Sequence, residues 1–123
     1  MKKSVKMTTL LLAAWGLSAC ATAVPPPYVQ VGQASTAVTE AESVGAYEAA
    51  PVELQAARDK LDQAKKALQA EDNLTAGRLA EEALADANLA QAKARTAKSR
   101  TSAASLKEGI QTLQQEVDRK ARH

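Results

Sequence analysis

Apolar and small side chains recur along this chain at intervals of three and four residues, which is the spacing of one face of a helix. The longest series consists of alanines that alternate steps of four and three: Ala76, Ala80, Ala83, Ala87, Ala90, Ala94 and Ala97. A second series alternates leucine with alanine at the same spacing: Leu54, Ala57, Leu61, Ala64 and Leu68. Since both series are heptad seams, they predict two helices that pack against each other along these faces.

Local signals indicate where these two helices begin and end. Pro51 is favoured at the first helical position and Glu53 lies in the first turn, so a helix is predicted over residues 51–70. Residues 71–73 (Glu-Asp-Asn) supply a turn and a cap, after which the alanine series predicts a long helix over residues 74–120. Because the connecting turn is short, we expect the two helices to be antiparallel neighbours.

A weaker pattern, with Ser35 or Thr36 as the capping residue, predicts a further helix over residues 35–46. The expected fold is therefore all-α: an alanine-rich antiparallel hairpin in a three-helix arrangement, with a long, coiled-coil-like C-terminal helix. The helical domain would span residues 35–120, and residues 121–123 would form a short tail.

The C-terminal end of the long helix carries a separate apolar series with larger side chains: Leu106, Ile110, Leu113 and Val117. At about 100° per residue, this series is centred roughly 140° around the helix from the alanines. The helix over residues 51–70 would be roughly 30 Å long and the long helix roughly 70 Å, so the shorter helix cannot cover both series. The four aliphatic residues are therefore the predicted surface for self-association or for a partner.

Two alternatives to this interpretation are open at the level of sequence. The first helix or the linker could fold over the four aliphatic residues, or this end of the helix could fray. Residues 101–105 have modest helix propensity and Gly109 costs about 1 kcal/mol relative to alanine. The pattern therefore does not decide whether the long helix is continuous through residues 99–105.

The beginning of the chain has the layout of an export signal. Three lysines (Lys2, Lys3, Lys6) precede an apolar run over residues 7–17, which is too short to span a bilayer as a final anchor. The run ends in Leu-Ser-Ala-Cys at residues 17–20, where Cys20 is the only cysteine of the chain. This tetrapeptide resembles the lipobox of bacterial lipoproteins, which implies a signal peptide over residues 1–19 and a covalent lipid on Cys20. A plain secretory signal is the alternative.

Residues 20–34 are predicted to be a linker that follows the lipidated cysteine. The proline triplet at residues 25–27 favours polyproline II and removes backbone donors. An extended segment of this kind would hold the helical domain a few tens of Å from the lipid, at about 3 Å per residue. Recognition of the prolines by a partner is the alternative to a spacer.

The charge of the chain depends on the predicted signal. The full sequence has 16 basic and 14 acidic residues, and loss of residues 1–19 would remove three basic residues and no acidic one.

No acidic residue occurs between Asp86 and Glu108, and three cations share one helix face there at seven-residue spacing: Lys93, Arg100 and Lys107. These cations are candidates for contact with cell-wall polymer, lipid head groups or an acidic partner, and a solvated face is the alternative. Nucleic acid is not expected, because no aromatic platform or known motif accompanies them.

The residue types needed for catalysis are scarce. His123 is the only histidine, and Cys20 is assigned to the lipid, so no Ser-His, Cys-His or multi-histidine metal arrangement can be assembled. The glycines are isolated, so no phosphate-binding loop is present. We therefore expect no enzymatic activity, no catalytic residue, no metal and no cofactor other than the covalent lipid.

Three segments of the chain resemble a known family: residues 50–54 (APVEL), 57–61 (ARDKL) and 79–94 (LAEEALADANLAQAKA). They are similar to a helical domain of unknown function found in small lipoproteins of the Gram-negative envelope, sometimes ahead of OmpA-like peptidoglycan-binding domains. The resemblance implies a lipid-anchored location and a helical architecture, and no catalytic residues. Ala21 resembles the residue that follows the cysteine in lipoproteins sorted to the outer membrane, which implies that membrane and a domain facing the periplasm.

The sequence thus predicts an outer-membrane lipoprotein with a structural or adaptor role. Its expected partners are the membrane, through the lipid, and a second copy or another envelope protein, through the four aliphatic residues near the C-terminus. Binding of peptidoglycan through the basic helix face is the alternative function.

Overall fold

The computed structural model describes residues 24–122, and the predicted signal peptide and Cys20 lie outside them. These residues form four helices and no strand: α1 (Tyr28–Ser43), α2 (Ala46–Ala49), α3 (Pro51–Gln69) and α4 (Asn73–Ala121). The expected all-α fold with a long C-terminal helix is confirmed.

The helices α3 and α4 form the hairpin that the heptad seams predict, and each begins and ends within one residue of its predicted range. Pro51 is the first residue of α3. Asp72 caps α4, because its Oδ1 accepts a hydrogen bond at 3.1 Å from the backbone N–H of Thr75. Hydrogen bonding to the carboxylate by the side chain of Thr75, and secondly by its backbone N–H, lowers the pKa of Asp72 below its ordinary value.

The first helix differs from the prediction of residues 35–46 behind a linker over residues 20–34. Helix α1 begins at Tyr28, and α2 follows a break at Gly45, whose φ of 87° is a left-handed conformation that suits glycine. The apolar spacing continues upstream of Ser35, and five residues of α1 are buried: Val31, Ala34, Ala37, Val38 and Ala41. Helix α1 begins directly after the proline triplet, and Pro27 occupies its N-cap position.

The core lies where α1 and α3 pack on the alanine face of α4. Of the 17 hydrophobic residues that form the buried core within residues 24–122, 13 are alanines, and Leu54 is the largest fully buried side chain among them. Side chains this small allow the helix axes to approach closely, so the bundle is stabilised by close lateral contact and not by a thick apolar core.

The two ends of the bundle are easy to distinguish. At one end Pro27, just before α1, is buried beside Gly77 in α4, and at the other end Val44 lies near Ala94. Helix α1 is therefore parallel to α4, whereas α3 is antiparallel to it. Helix α4 continues without interruption through residues 99–105, and every residue from Arg95 to Arg122 is exposed.

Candidate interaction site

The four aliphatic residues near the C-terminus, here called the C-terminal stripe, lie on the part of α4 that extends beyond the bundle. Their exposed fractions are 69% for Leu106, 56% for Ile110, 65% for Leu113 and 65% for Val117. No described residue of α1, α2 or α3 covers them. The alternative that the first helix or the linker folds over these four residues is therefore not found within residues 24–122. Because α4 is continuous, all four side chains lie along one face.

The face that carries the C-terminal stripe extends in both directions. Steps of seven residues from Ile110 and Leu113 place Ala103 at one end and Lys120 at the other. One edge of this face is lined at seven-residue spacing by Arg100, Lys107 and Gln114, and the other by Arg95, Ser102, Gly109 and Glu116. The arrangement has the layout of a coiled-coil face with polar flanks, presented on an exposed helix.

The three cations predicted to share a basic face do not have the same surroundings. Lys93 forms an ion pair with Glu53 of α3, and the hydrogen bond between them lowers the pKa of that carboxyl below its ordinary value. Lys93 is therefore part of the contact between α3 and α4. Arg100 and Lys107 lie beyond the bundle and form no ion pair with any residue of the described part of the chain.

A cluster that the sequence patterns did not predict joins α1, α2 and α3. The Nε of Arg58 donates a hydrogen bond at 2.8 Å to Glu42, and its guanidinium also donates to the hydroxyl of Tyr47. The guanidinium lies 4.7 Å from the centre of the Tyr47 ring, which adds a cation–π contact. Arg58 thus holds α2 and the end of α1 against α3.

A second unpredicted contact joins α3 to α4. The Nζ of Lys60 lies 2.7 Å from Asp86 and 3.5 Å from Glu82, two carboxylates on successive turns of α4. The close contact with the Asp86 carboxylate is the main cause of a raised pKa for Lys60. The four-residue spacing of Glu82 and Asp86 was visible in the sequence, but the cation that lies between them was not.

The start of the described chain is fixed to the turn between α3 and α4. The side-chain Nδ2 of Asn73 donates a hydrogen bond at 2.8 Å to the carbonyl oxygen of Val24. At 1.5 Å per residue, the helix between Asn73 and Leu113 is about 60 Å long. The point where the N-terminal segment leaves the bundle and the C-terminal stripe are therefore at opposite ends of the molecule.

The described residues also bear on metal binding and membrane insertion. Within residues 24–122, no three or more histidine, cysteine, aspartate or glutamate side chains come together as metal ligands would. Among the same residues, no helix has both the length and the apolar character that a membrane span requires. The lipidation site predicted at Cys20 and the only histidine, His123, lie outside the described residues.

Comparison with known proteins points to one family. Neither the curated proteins nor the solved structures compared with the chain gave a match. The sequence model of a domain of unknown function, DUF4398, matches residues 29–106. This match includes nearly all of the bundle and the first residue of the C-terminal stripe, and it confirms the helical domain of unknown function expected from the three segments. The chain therefore belongs to the DUF4398 family.

Proposed function

We propose that this chain is a non-enzymatic lipoprotein of the outer membrane whose helical domain faces the periplasm and acts as a structural or adaptor element. The domain self-associates or binds an envelope partner through the C-terminal stripe. The observation that carries the proposal is that this stripe, with four large aliphatic side chains each more than half exposed, lies on a helix end that no described residue covers.

The membrane attachment in this proposal is based on the first 20 residues. The basic segment, the short apolar run and the cysteine at residue 20 together support export followed by lipidation. Each buried methylene of an acyl chain contributes about 0.8 kcal/mol, and two or more chains make the attachment stable.

The positions of the two ends of the domain support a spacer role. Val24 follows Cys20 by four residues, so the backbone of that cysteine lies within about 14 Å of Val24 even if the connection is fully extended, and Val24 is hydrogen-bonded to Asn73 beside the turn between α3 and α4. The long linker predicted over residues 20–34 is thus replaced by a short connection to a bundle. The distance between the lipid and the contact surface comes instead from α4, which places the C-terminal stripe about 60 Å from that turn.

The contact is tested with the full-length chain, produced in a Gram-negative host and carrying a photo-crosslinking residue. Position 114 is exposed and borders the C-terminal stripe, and position 63 is an exposed position on α3 that serves as the control. We expect an adduct from Gln114 and none from Gln63, and we expect Leu113→Asp to remove the adduct. Equal yields at both positions, or no adduct at either, would contradict the proposed contact surface.

Membrane attachment has a separate test. Replacing Cys20 with serine removes the only thiol that can carry the lipid. We expect the wild-type chain in the outer-membrane fraction and the Cys20→Ser chain absent from it. Recovery of both chains in the same fraction would contradict lipid anchoring.

A second function, binding of peptidoglycan, is supported by the unpaired cations beyond the bundle. Arg95, Lys98, Arg100 and Lys107 form no ion pair within residues 24–122, and no acidic residue separates them. We would expect Arg100→Glu with Lys107→Glu to weaken co-sedimentation with purified peptidoglycan. Leu113→Asp would leave it unchanged. Loss of sedimentation with both variants would instead indicate that the stripe is responsible.

A further inference from the structure

We infer that the end of the bundle nearest Cys20 rests directly on the lipid bilayer, so that α4 points away from the membrane. Four large apolar side chains form this contact, here called the lipid-proximal face: Val24, Tyr28, Val29 and Leu74. The inference rests on the proposed function, because it takes the lipid on Cys20 as the tether. It adds a second membrane contact, made by side chains of the folded domain, and it fixes the orientation of that domain.

The structure brings the four residues to one end of the molecule. The carbonyl oxygen of Val24 accepts a hydrogen bond from Asn73, the residue before Leu74. Tyr28 and Val29 form the first turn of α1, which begins beside the first turns of α4. The exposed fractions are 46% for Val24, 69% for Tyr28, 69% for Val29 and 71% for Leu74. The bundle therefore presents exposed apolar surface at the point where the chain leads to the predicted lipid.

The direction of the helices aims these side chains at the membrane. Helices α1 and α4 are parallel, and both begin at this end. Because every Cα–Cβ bond of a helix tilts toward the N-terminus, first-turn side chains lean beyond the end of the bundle. The backbone of Cys20 lies within about 14 Å of Val24. The tether thus keeps the lipid-proximal face beside the bilayer at a high local concentration.

The composition of α1 favours a lipid surface as the occupant. No charged residue occurs between Cys20 and Glu40, so the first three turns of α1 carry no charge. Such a segment loses no hydration of ionised groups when it meets the membrane interface. Tyr28 suits that interface, because a tyrosine ring combines an apolar body with a polar hydroxyl and is enriched at the level of the head groups.

The charges near the lipid-proximal face balance. Residues 63–72, which end α3 and form the turn, contain two cations and two anions: Lys65, Lys66, Glu71 and Asp72. In the second turn of α4, Arg78 is paired with Glu82 at 2.7 Å. The contact therefore depends on apolar burial and not on attraction to anionic lipid. Vesicles of phosphatidylcholine, which has no net charge, are accordingly a sufficient probe.

The contact is tested with the full-length chain, purified after processing and lipidation and reconstituted into phosphatidylcholine vesicles. Trp15, the only tryptophan, lies in the predicted signal, so Tyr28→Trp gives the mature chain a single fluorophore and the unsubstituted chain is the blank. Tryptophan shares the interfacial preference of tyrosine. We expect acyl chains brominated near the head group to quench most of the emission of Tyr28→Trp, relative to unbrominated vesicles.

Two variants serve as controls. Val52 is 75% exposed and is the second residue of α3, as Leu74 is of α4, but it lies about 25 Å along α3 from the turn. We expect no quenching of Val52→Trp. The other variant adds Val29→Asp and Leu74→Asp to Tyr28→Trp. Both aspartates lie in first turns, where the helix dipole favours a carboxylate, so the bundle is retained. We expect quenching to be lost although the tether is the same.

Flotation with the vesicles separates this inference from the proposed function. Chains that float without quenching of Tyr28→Trp would overturn the contact and leave the lipid tether intact. Equal quenching of Tyr28→Trp and Val52→Trp would mean that the bundle lies flat and would overturn the orientation. Quenching that persists with both aspartates would mean that the tether alone brings residue 28 to the bilayer, which also overturns the inference. Chains that do not float would overturn the lipid anchor and the inference together.

Discussion

Replacing Leu113 with aspartate tests the energetics of the proposed self-association most directly. Complete burial of a leucine side chain contributes about 1.5–3 kcal/mol. Leu113 is 65% exposed in the single chain. Self-association that covers this side chain would therefore gain about two thirds of the free energy of full burial, or about 1–2 kcal/mol per chain. The substitution occurs in both copies, and the loss of apolar burial is therefore about 2–4 kcal/mol.

The aspartate adds a second penalty. Its carboxylate would lie in the contact between two copies, and burial of a polar group without a hydrogen-bond partner costs about 1–3 kcal/mol. The combined loss is at least about 3 kcal/mol, and each 1.4 kcal/mol is a factor of ten in a dissociation constant. We therefore expect self-association to weaken by roughly a hundredfold or more.

The assay is sedimentation equilibrium across micromolar concentrations on residues 21–123, a fragment that contains every described residue. Leu74→Asp is the matched control, since Leu74 is 71% exposed and lies in the first turn of α4, where the helix dipole favours a carboxylate. Thermal unfolding of the bundle should be similar in all three proteins. A monomeric wild-type fragment, or equal dissociation of the Leu113 and Leu74 variants, would refute the reasoning.

Four further predictions concern the bundle and are checked by chemical denaturation. Ala87 is fully buried in the alanine face, so Ala87→Leu should lower the free energy of unfolding by about 1–3 kcal/mol through overpacking, whereas Ala104→Leu on the exposed end should change it by less than about 0.5 kcal/mol. A Cβ at Gly32 would meet no atom within 4 Å, so Gly32→Ala should stabilise the bundle by about 0.5–1 kcal/mol. Gly45→Ala should destabilise it by about 1 kcal/mol or more, because Gly45 has a φ of 87°. If both glycine variants shift stability in the same direction, the backbone argument is wrong. The pKa of Glu53 is lowered from 4.5, so its contribution to stability is present above that value and is lost as the pH falls through the lower folded value. Glu53→Gln should remove this part of the pH dependence as the pH falls below 4.5, and an unchanged dependence would show that the ion pair of Glu53 with α4 does not stabilise the bundle.

The parts of the fold that could be predicted from the sequence are those set by local periodicity. The alanine series and the Asp72 cap specify the hairpin, because each signal acts within a few residues of the helix it describes. The start of α1 could not be predicted in this way. The proline triplet favours an extended segment locally, whereas Pro27 is buried beside Gly77, a residue 50 positions later in the chain.

The candidate site shows the same division. The exposure of the C-terminal stripe follows from helix lengths, which the sequence provides. Periodicity also placed Lys93 on a basic face of its own helix. It gives no information on which residue of the neighbouring helix lies beside Lys93, so the ion pair with Glu53 was not predicted. The contacts of Arg58 were missed for the same reason, since its partners Glu42 and Tyr47 belong to other helices.

The unbroken course of α4 has a consequence for how the length of the chain can change. The alanine face and the C-terminal stripe are parts of one helix, so the residues between them determine both a distance and a direction. Each residue inserted between Arg95 and Ser105 would move the stripe about 1.5 Å farther from the bundle and rotate it by about 100°. Insertions of seven residues nearly restore the direction while lengthening the helix by about 10 Å. The exposed part of α4 can therefore change in length only by insertions that complete nearly whole turns, such as seven or eleven residues, if the stripe is to keep facing the same way.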